Sequence, residues 1–148
     1  MTLLDPPAAP VDADRLAAAL EHANIPTLVV VLHQLTGDRR WLAAPYRPQR
    51  GRGMDDNASG GLPDDVQAQI RGAALEAVLA WSHGRPVAVP APRGDALVEL
   101  LEVAQGEPVP PEFEPMLAEL LGFAPAREHG PVAGAAGFSA LVVGAGVS

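Results

Sequence analysis

The chain is 148 residues long, 48% hydrophobic but only 4% aromatic, with a formal net charge of −8 and no cysteine. That length suits one modest domain with a real core, and the scarcity of rings makes it a core of Leu, Val and Ala. The missing cysteines exclude a disulfide framework and any thiolate metal site, and the acidic balance argues against nucleic acid or an anionic membrane as the main partner.

The opening residues, MTLLDPPAAP, lack the basic start of a signal peptide, and Asp5, Pro6 and Pro7 break the apolar run. The longest apolar stretch, IPTLVVVL, falls well short of the roughly 20 residues that a spanning helix needs. A cytoplasmic chain is the expectation. Asp12 is placed to cap a helix running to about Ala23, with Leu16, Ala19 and Leu20 on one face. In NIPTLVVVLHQLTGD, Asn24 and Pro26 are start signals and Gly37 is a stop. The β-branched run Val29–Val31 also suits a buried strand. Helix is preferred because cap and stop lie a helix-length apart and LHQL continues past the valines.

A short turn around Trp41 then leads into an irregular stretch from Pro45 to Gly61, longer than most structureless loops inside compact domains. Pro63, with Asp64 and Asp65 at the positive end of the dipole, opens a helix to about Ser82, stopped by Gly84. Its apolar stripe is Val66, Ile70, Ala74, Leu75, Val78 and Trp81. A further helix is expected from Asp95 to Gln105, stopped by Gly106, with Leu97, Leu100, Leu101 and Ala104 buried. Another starts near Pro111, with Met116, Leu117, Leu120 and Leu121 facing inward. Residues 124–137 are small and turn-forming and read as a linker.

Phe138–Val143 is the one convincing strand, and Gly144 and Gly146 follow it. Dinucleotide-binding folds place Gly-x-Gly-x-x-Gly directly after a buried strand: the first glycine makes the turn, the second admits the pyrophosphate and the third lets the helix pack. Here the third glycine would fall at residue 149, and the phosphate-binding helix and the ribose-binding acidic residue beyond it. A flexible Ala/Gly-rich tail is the competing reading of this stretch. The expected fold is mainly α: a bundle of about five helices over 1–123, a linker at 124–137, and at 138–148 the orphan first β-strand of a truncated Rossmann-type FAD-binding domain.

Several blocks, NIPTLVVVLHQLTGDRRWL, RGRGMDDNASGGLP, IRGAALEAVLAW and GEPVPPEFEPM, followed by LVVGAGVS, give the chain a wider likeness. In this order they resemble the N-terminal region of flavin-containing Baeyer–Villiger monooxygenases, most closely the 4-hydroxyacetophenone monooxygenase subgroup, with its helical extension ahead of the FAD domain. The resemblance implies FAD, NADPH and dioxygen, and a ketone or aldehyde oxidised to an ester or lactone. Only Gly144 and Gly146 match its FAD-binding residues. The family's second glycine motif, its His-containing fingerprint and the arginine that stabilises the flavin peroxide have no counterpart here. No catalytic residue is therefore assigned, and no cofactor is expected to bind this chain alone.

The resemblance implies, as partners, the FAD and NADPH domains of the same enzyme, with a homodimer as a further expectation. A stand-alone helical oligomerisation or interaction module with no enzymatic role is the alternative. All ten basic residues are arginine, and Arg39, Arg40, Arg47, Arg50 and Arg52 lie close together. Arg47, Arg50 and Arg52, followed by Asp55 and Asp56, form either a contact with another domain or subunit, or a solvated loop stitched by local ion pairs. Trp41 and Trp81 read as core or interface anchors. His22, His33, His83 and His129 are scattered without ligand spacing. Ser59 lacks the surroundings of a nucleophile elbow.

Overall fold

A computed structural model describes residues 6–7, 9–50, 57–125, 130 and 139. Among them the chain forms five α-helices: α1 (Ala13–Leu20), α2 (Ile25–Thr36), α3 (Asp64–Ser82), α4 (Asp95–Gln105) and α5 (Glu114–Leu120). Two 3-10 turns, Arg39–Leu42 and Pro111–Phe113, complete the regular structure, and the described residues contain no strand. Apart from Ser139, the expected strand Phe138–Val143 lies outside the described residues, as does most of the linker before it.

Local signals set the helix ends. The Asp12 carboxylate accepts from Arg15 N at 2.9 Å and opens α1. The Asn24 side chain accepts from both Thr27 N and Thr27 Oγ1 at 3.0 Å and opens α2. Such caps satisfy donors that the first helical turn leaves without partners. Gly37 closes α2 with φ 72°, and its N–H donates to His33 O at 2.7 Å. The valine run is thus helical: Ile25, Leu28, Val29, Leu32 and His33 are buried, on the 3–4 residue spacing of one helix face.

The core is built around α2, which packs on α3, on α4 and on the turn at Arg39–Leu42, while α1 lies on α3 and α5 on α4. Ile25, Val29, Leu32, Ile70, Leu97 and Val103 are the largest fully buried side chains. Burying each is worth about 1.5–3 kcal/mol. On α3 the buried positions are Val66, Gln67, Ile70, Ala74 and Ala77; Leu75, Val78 and Trp81 are only half-buried. Gln67 is a buried polar group with partners: its Nε2 donates to Leu62 O at 2.8 Å, and its Oε1 accepts from Arg71 at 3.3 Å. Arg71 Nε in turn donates to Leu20 O at 3.1 Å, joining the side of α3 to the end of α1.

Two expectations about faces need correction. On α4, Val103 is buried where Leu101 and Ala104 were expected; those two are half-buried. On α5, Met116, Leu120 and Leu121 are exposed rather than inward, and Ala118 is the residue buried there. The reason is geometric: α5 is seven residues long and packs chiefly on α4 and on the 3-10 turn before it, so one narrow face is covered. Its position is nonetheless fixed. Glu114 Oε1 accepts from Gly94 N at 2.8 Å, and Arg93 donates to Phe123 O at 2.9 Å, tying both ends of α5 to the start of α4.

Candidate contact surface

The arginine-rich stretch begins with a capped turn. Asp38 Oδ1 accepts from Arg40 N at 2.9 Å and starts the 3-10 turn Arg39–Leu42, which drives Trp41 and Leu42 into the core. Trp41 is 3% exposed. Tyr46 packs against it with ring centroids 4.7 Å apart and planes tilted by 52°, within the separation that favours aromatic pairs. The guanidinium of Arg40 lies 4.5 Å from the Trp41 ring centroid while its Nε contacts Asp38 at 3.0 Å, an arrangement suited to cation–π attraction. Tyr46 donates its hydroxyl to Gln69 Oε1 at 2.9 Å, fastening this aromatic pair to α3. The indole Nε1 of Trp41 is buried without an acceptor.

The neighbouring arginines find partners within the chain. Arg39 pairs with Glu99 on α4 at 2.6 Å, Arg47 donates to Leu42 O at 3.1 Å, and Arg50 pairs with Glu107 just beyond α4. The backbone follows the same path: Arg50 N donates to Gly106 O at 3.3 Å, and Gln49 N donates to Gly60 O at 2.9 Å. From the other arm of the stretch, Asn57 Nδ2 donates to Gln49 O at 2.8 Å, and Ile25 N donates to Ala58 O at 2.8 Å. Both described arms of the irregular stretch are therefore pinned, one to the end of α4 and the other to the start of α2. The side chains of Arg39, Arg40 and Arg50 remain more than half exposed. Water screens their ion pairs, each worth about 1 kcal/mol at most.

These described residues thus form an ion-paired, hydrogen-bonded surface. Trp41, Arg47 and Arg50 lie on one stretch, with Arg47 bonded to Leu42 O beside Trp41 and Arg50 paired with Glu107, whereas Arg52, Asp55 and Asp56 lie outside the described residues, as do Gly144 and Gly146. A cavity of about 500 Å3 opens between Pro45–Gln49 and Gly61–Pro63, with Arg47 in its lining. Ser59 serves the turn: its Oγ accepts from Gly61 N at 3.2 Å. His33 is buried, with Nδ1 3.3 Å from Asp38 O. Among the described residues no three His, Asp or Glu side chains converge as metal ligands, and no helix is long and apolar enough to cross a membrane. The exposed side chains of α5 were missed as a surface in the sequence, where their spacing signalled only a face to be covered.

Comparison with known proteins adds what the geometry lacks. Over 134 residues the chain is 40% identical to the uncharacterized monooxygenase y4iD of Sinorhizobium fredii, a match that takes in 90% of this chain. The chain is similar to one part of a monooxygenase. It spans about 20% of that protein's length. No family model matches the chain, and no solved structure does.

Proposed function

We propose that this chain is the N-terminal helical unit of an FAD- and NADPH-dependent Baeyer–Villiger monooxygenase, serving inter-domain or subunit contact and contributing no catalytic group. The observation that carries the reading is the identity of 40% to a monooxygenase over nearly the whole chain but only a fifth of the relative. The ordered blocks from Asn24 to Ser148 that resemble Baeyer–Villiger enzymes give the finer assignment.

The described residues do not fit the flavin nucleotide. A pyrophosphate cradle needs a strand, a glycine turn and a helix N-terminus with free N–H groups. Gly94 is the one glycine that caps an α-helix start among the described residues, and no strand precedes it. Its N–H already donates to Glu114, and Asp95 sits in the first turn, so the site carries negative charge where phosphate would bind. α3 likewise begins with Asp64 and Asp65.

The test is a replacement. The matched segment of the Sinorhizobium fredii monooxygenase is exchanged for this chain, and the product is assayed for bound flavin and for NADPH- and dioxygen-dependent conversion of a ketone. An ester or lactone is expected; a hydroxylated ketone instead would reject the Baeyer–Villiger assignment. The 148-residue chain mixed with FAD is expected to leave flavin fluorescence unquenched, and stoichiometric quenching would reject a role confined to contact.

A further inference from the structure

Phe113, Met116, Leu120 and Leu121 are the large apolar side chains left exposed among the described residues, and all belong to the 3-10 turn before α5, to α5, or to the residue after it. Met116 is 57% and Leu120 78% exposed. Beside them Val109, Pro110, Phe113, Met116 and Leu117 line a groove of about 300 Å3. Scattered exposed leucines are ordinary on protein surfaces, but a contiguous apolar patch with a polar rim marks a contact site. We propose that this α5 face is the surface on which the helical unit packs against the remaining polypeptide of a larger monooxygenase, whose matching surface has an apolar centre and a basic rim. The proposal rests on the functional reading above.

Three observations select that occupant. The first is charge. Residues 107–123 contain Glu107, Glu112, Glu114 and Glu119 and not one basic residue. A second copy placed about a two-fold axis would set this acidic segment against itself, with no cation from either α5. Glu107 is already paired with Arg50 and Glu114 is bonded to Gly94 N, and a basic partner surface complements the acidic charge that remains, as a different polypeptide can supply. The second is the tether. α5 is the last described helix, and residues 124–137 separate it in sequence from the block ending in LVVGAGVS, whose sequence resembles the start of a nucleotide-binding unit. Fully extended, such a linker spans at most about 50 Å. Whatever follows is held near α5 at a high effective concentration, so a modest apolar contact suffices to dock it. The third is length: the relative carries about four times as much polypeptide outside the matched segment as within it. Hydrogen bonds at both ends of α5 fix its position on the start of α4, so docking has less to order.

Met116 supplies its own probe, because peroxide converts an accessible thioether to the sulfoxide and spares a covered one. The rate of Met116 oxidation is measured by peptide mass spectrometry in the 148-residue chain and in the Sinorhizobium fredii monooxygenase carrying this chain in place of its matched segment. A rate at least tenfold slower in the replacement protein is expected. The double variant Leu120→Glu with Leu121→Glu is expected to restore the fast rate there. In the 148-residue chain the same variant should leave the melting temperature unchanged, since both side chains already face water. Equal rates in a flavin-loaded replacement protein would overturn the docking proposal. So would slow oxidation in the 148-residue chain together with a dimer mass in sedimentation, which would assign the face to a second copy. A replacement protein that lacks flavin would reject the monooxygenase reading, while its Met116 rate still decides whether the α5 face is covered.

Discussion

At Gly106 the backbone of the irregular stretch comes so close that no side chain fits. A Cβ there would stand 2.5 Å from Arg50 N and 2.8 Å from Gln49 C, and the residue's φ of 71° lies in the left-handed region. Gly106→Ala is expected to destabilise the fold by about 1–3 kcal/mol through strain and displacement of that backbone. Gly72→Ala, in the exposed middle of α3 with nothing near its added methyl, should stabilise by about 0.5–1 kcal/mol. Urea unfolding midpoints that moved in the same direction would show that the stretch does not rest on α4 in solution. Trp41 offers the second residue-scale test. Its buried Nε1 has no acceptor, so Trp41→Phe removes an unsatisfied donor along with some packing and should cost under about 1.5 kcal/mol. Trp41→Ala, which empties the site beside Tyr46, should cost about 3–5 kcal/mol. Similar losses for both variants would mean that the indole nitrogen has a partner after all. The stop at Gly106 is legible in the sequence, but its clash with Arg50 is not: that contact joins positions more than fifty residues apart.

For the elements, the sequence speaks through caps and periodicity, and it speaks unevenly. Asn24 and Gly37 bracket α2 so well that a β-branched run becomes helix against its own preference. Asn24→Ala removes the acceptor for Thr27 N and Thr27 Oγ1 and should lower stability by about 1 kcal/mol. Thermal unfolding followed by circular dichroism checks this, with Asn24→Asp expected to hold near the original value; an unchanged melting temperature for the alanine variant would transfer the start of α2 to Pro26 alone. α5 shows where periodicity stops helping. The pattern of Met116, Leu117, Leu120 and Leu121 announces an apolar face and says nothing about what covers it. A helix of seven residues lying chiefly on α4 hides only Ala118 well, and Met116, Leu120 and Leu121 turn outward. The same reasoning explains α3, whose stripe was read correctly at Val66, Ile70 and Ala74, then drifts to Ala77, which lines one cavity with Leu32 and Trp41.

Across the whole molecule, charge is what separates its surfaces. The segment around α5 is apolar and acidic, whereas Arg39, Arg40, Arg47 and Arg50 gather on the stretch that links α2 to α3. In-chain partners occupy those four arginines, yet the heads of Arg39, Arg40 and Arg50 stay largely in water, leaving them able to meet a second set of carboxylates. Removing Arg47, Arg50 and Arg52 together therefore separates two roles. If they only staple the stretch, the triple alanine variant of the 148-residue chain loses, among the described residues, one exposed ion pair of Arg50 and one bond from Arg47 to Leu42 O, roughly 1–2 kcal/mol for those two. The larger protein then keeps its assembly state. If they also form an interface, the same variant, whose formal charge falls from −8 to −11 in this chain, should weaken assembly far more than it weakens folding. A steep salt dependence is expected in the unaltered protein, because exposed pairs between subunits are screened over about 8–10 Å at ordinary ionic strength. The expected outcome in the monooxygenase carrying this chain is a lower oligomer mass by light scattering at an unchanged flavin content. An unaltered mass at every salt concentration would confine these arginines to holding the stretch against α4, and would leave the acidic, apolar face of α5 as the surface through which the helical unit makes its contact.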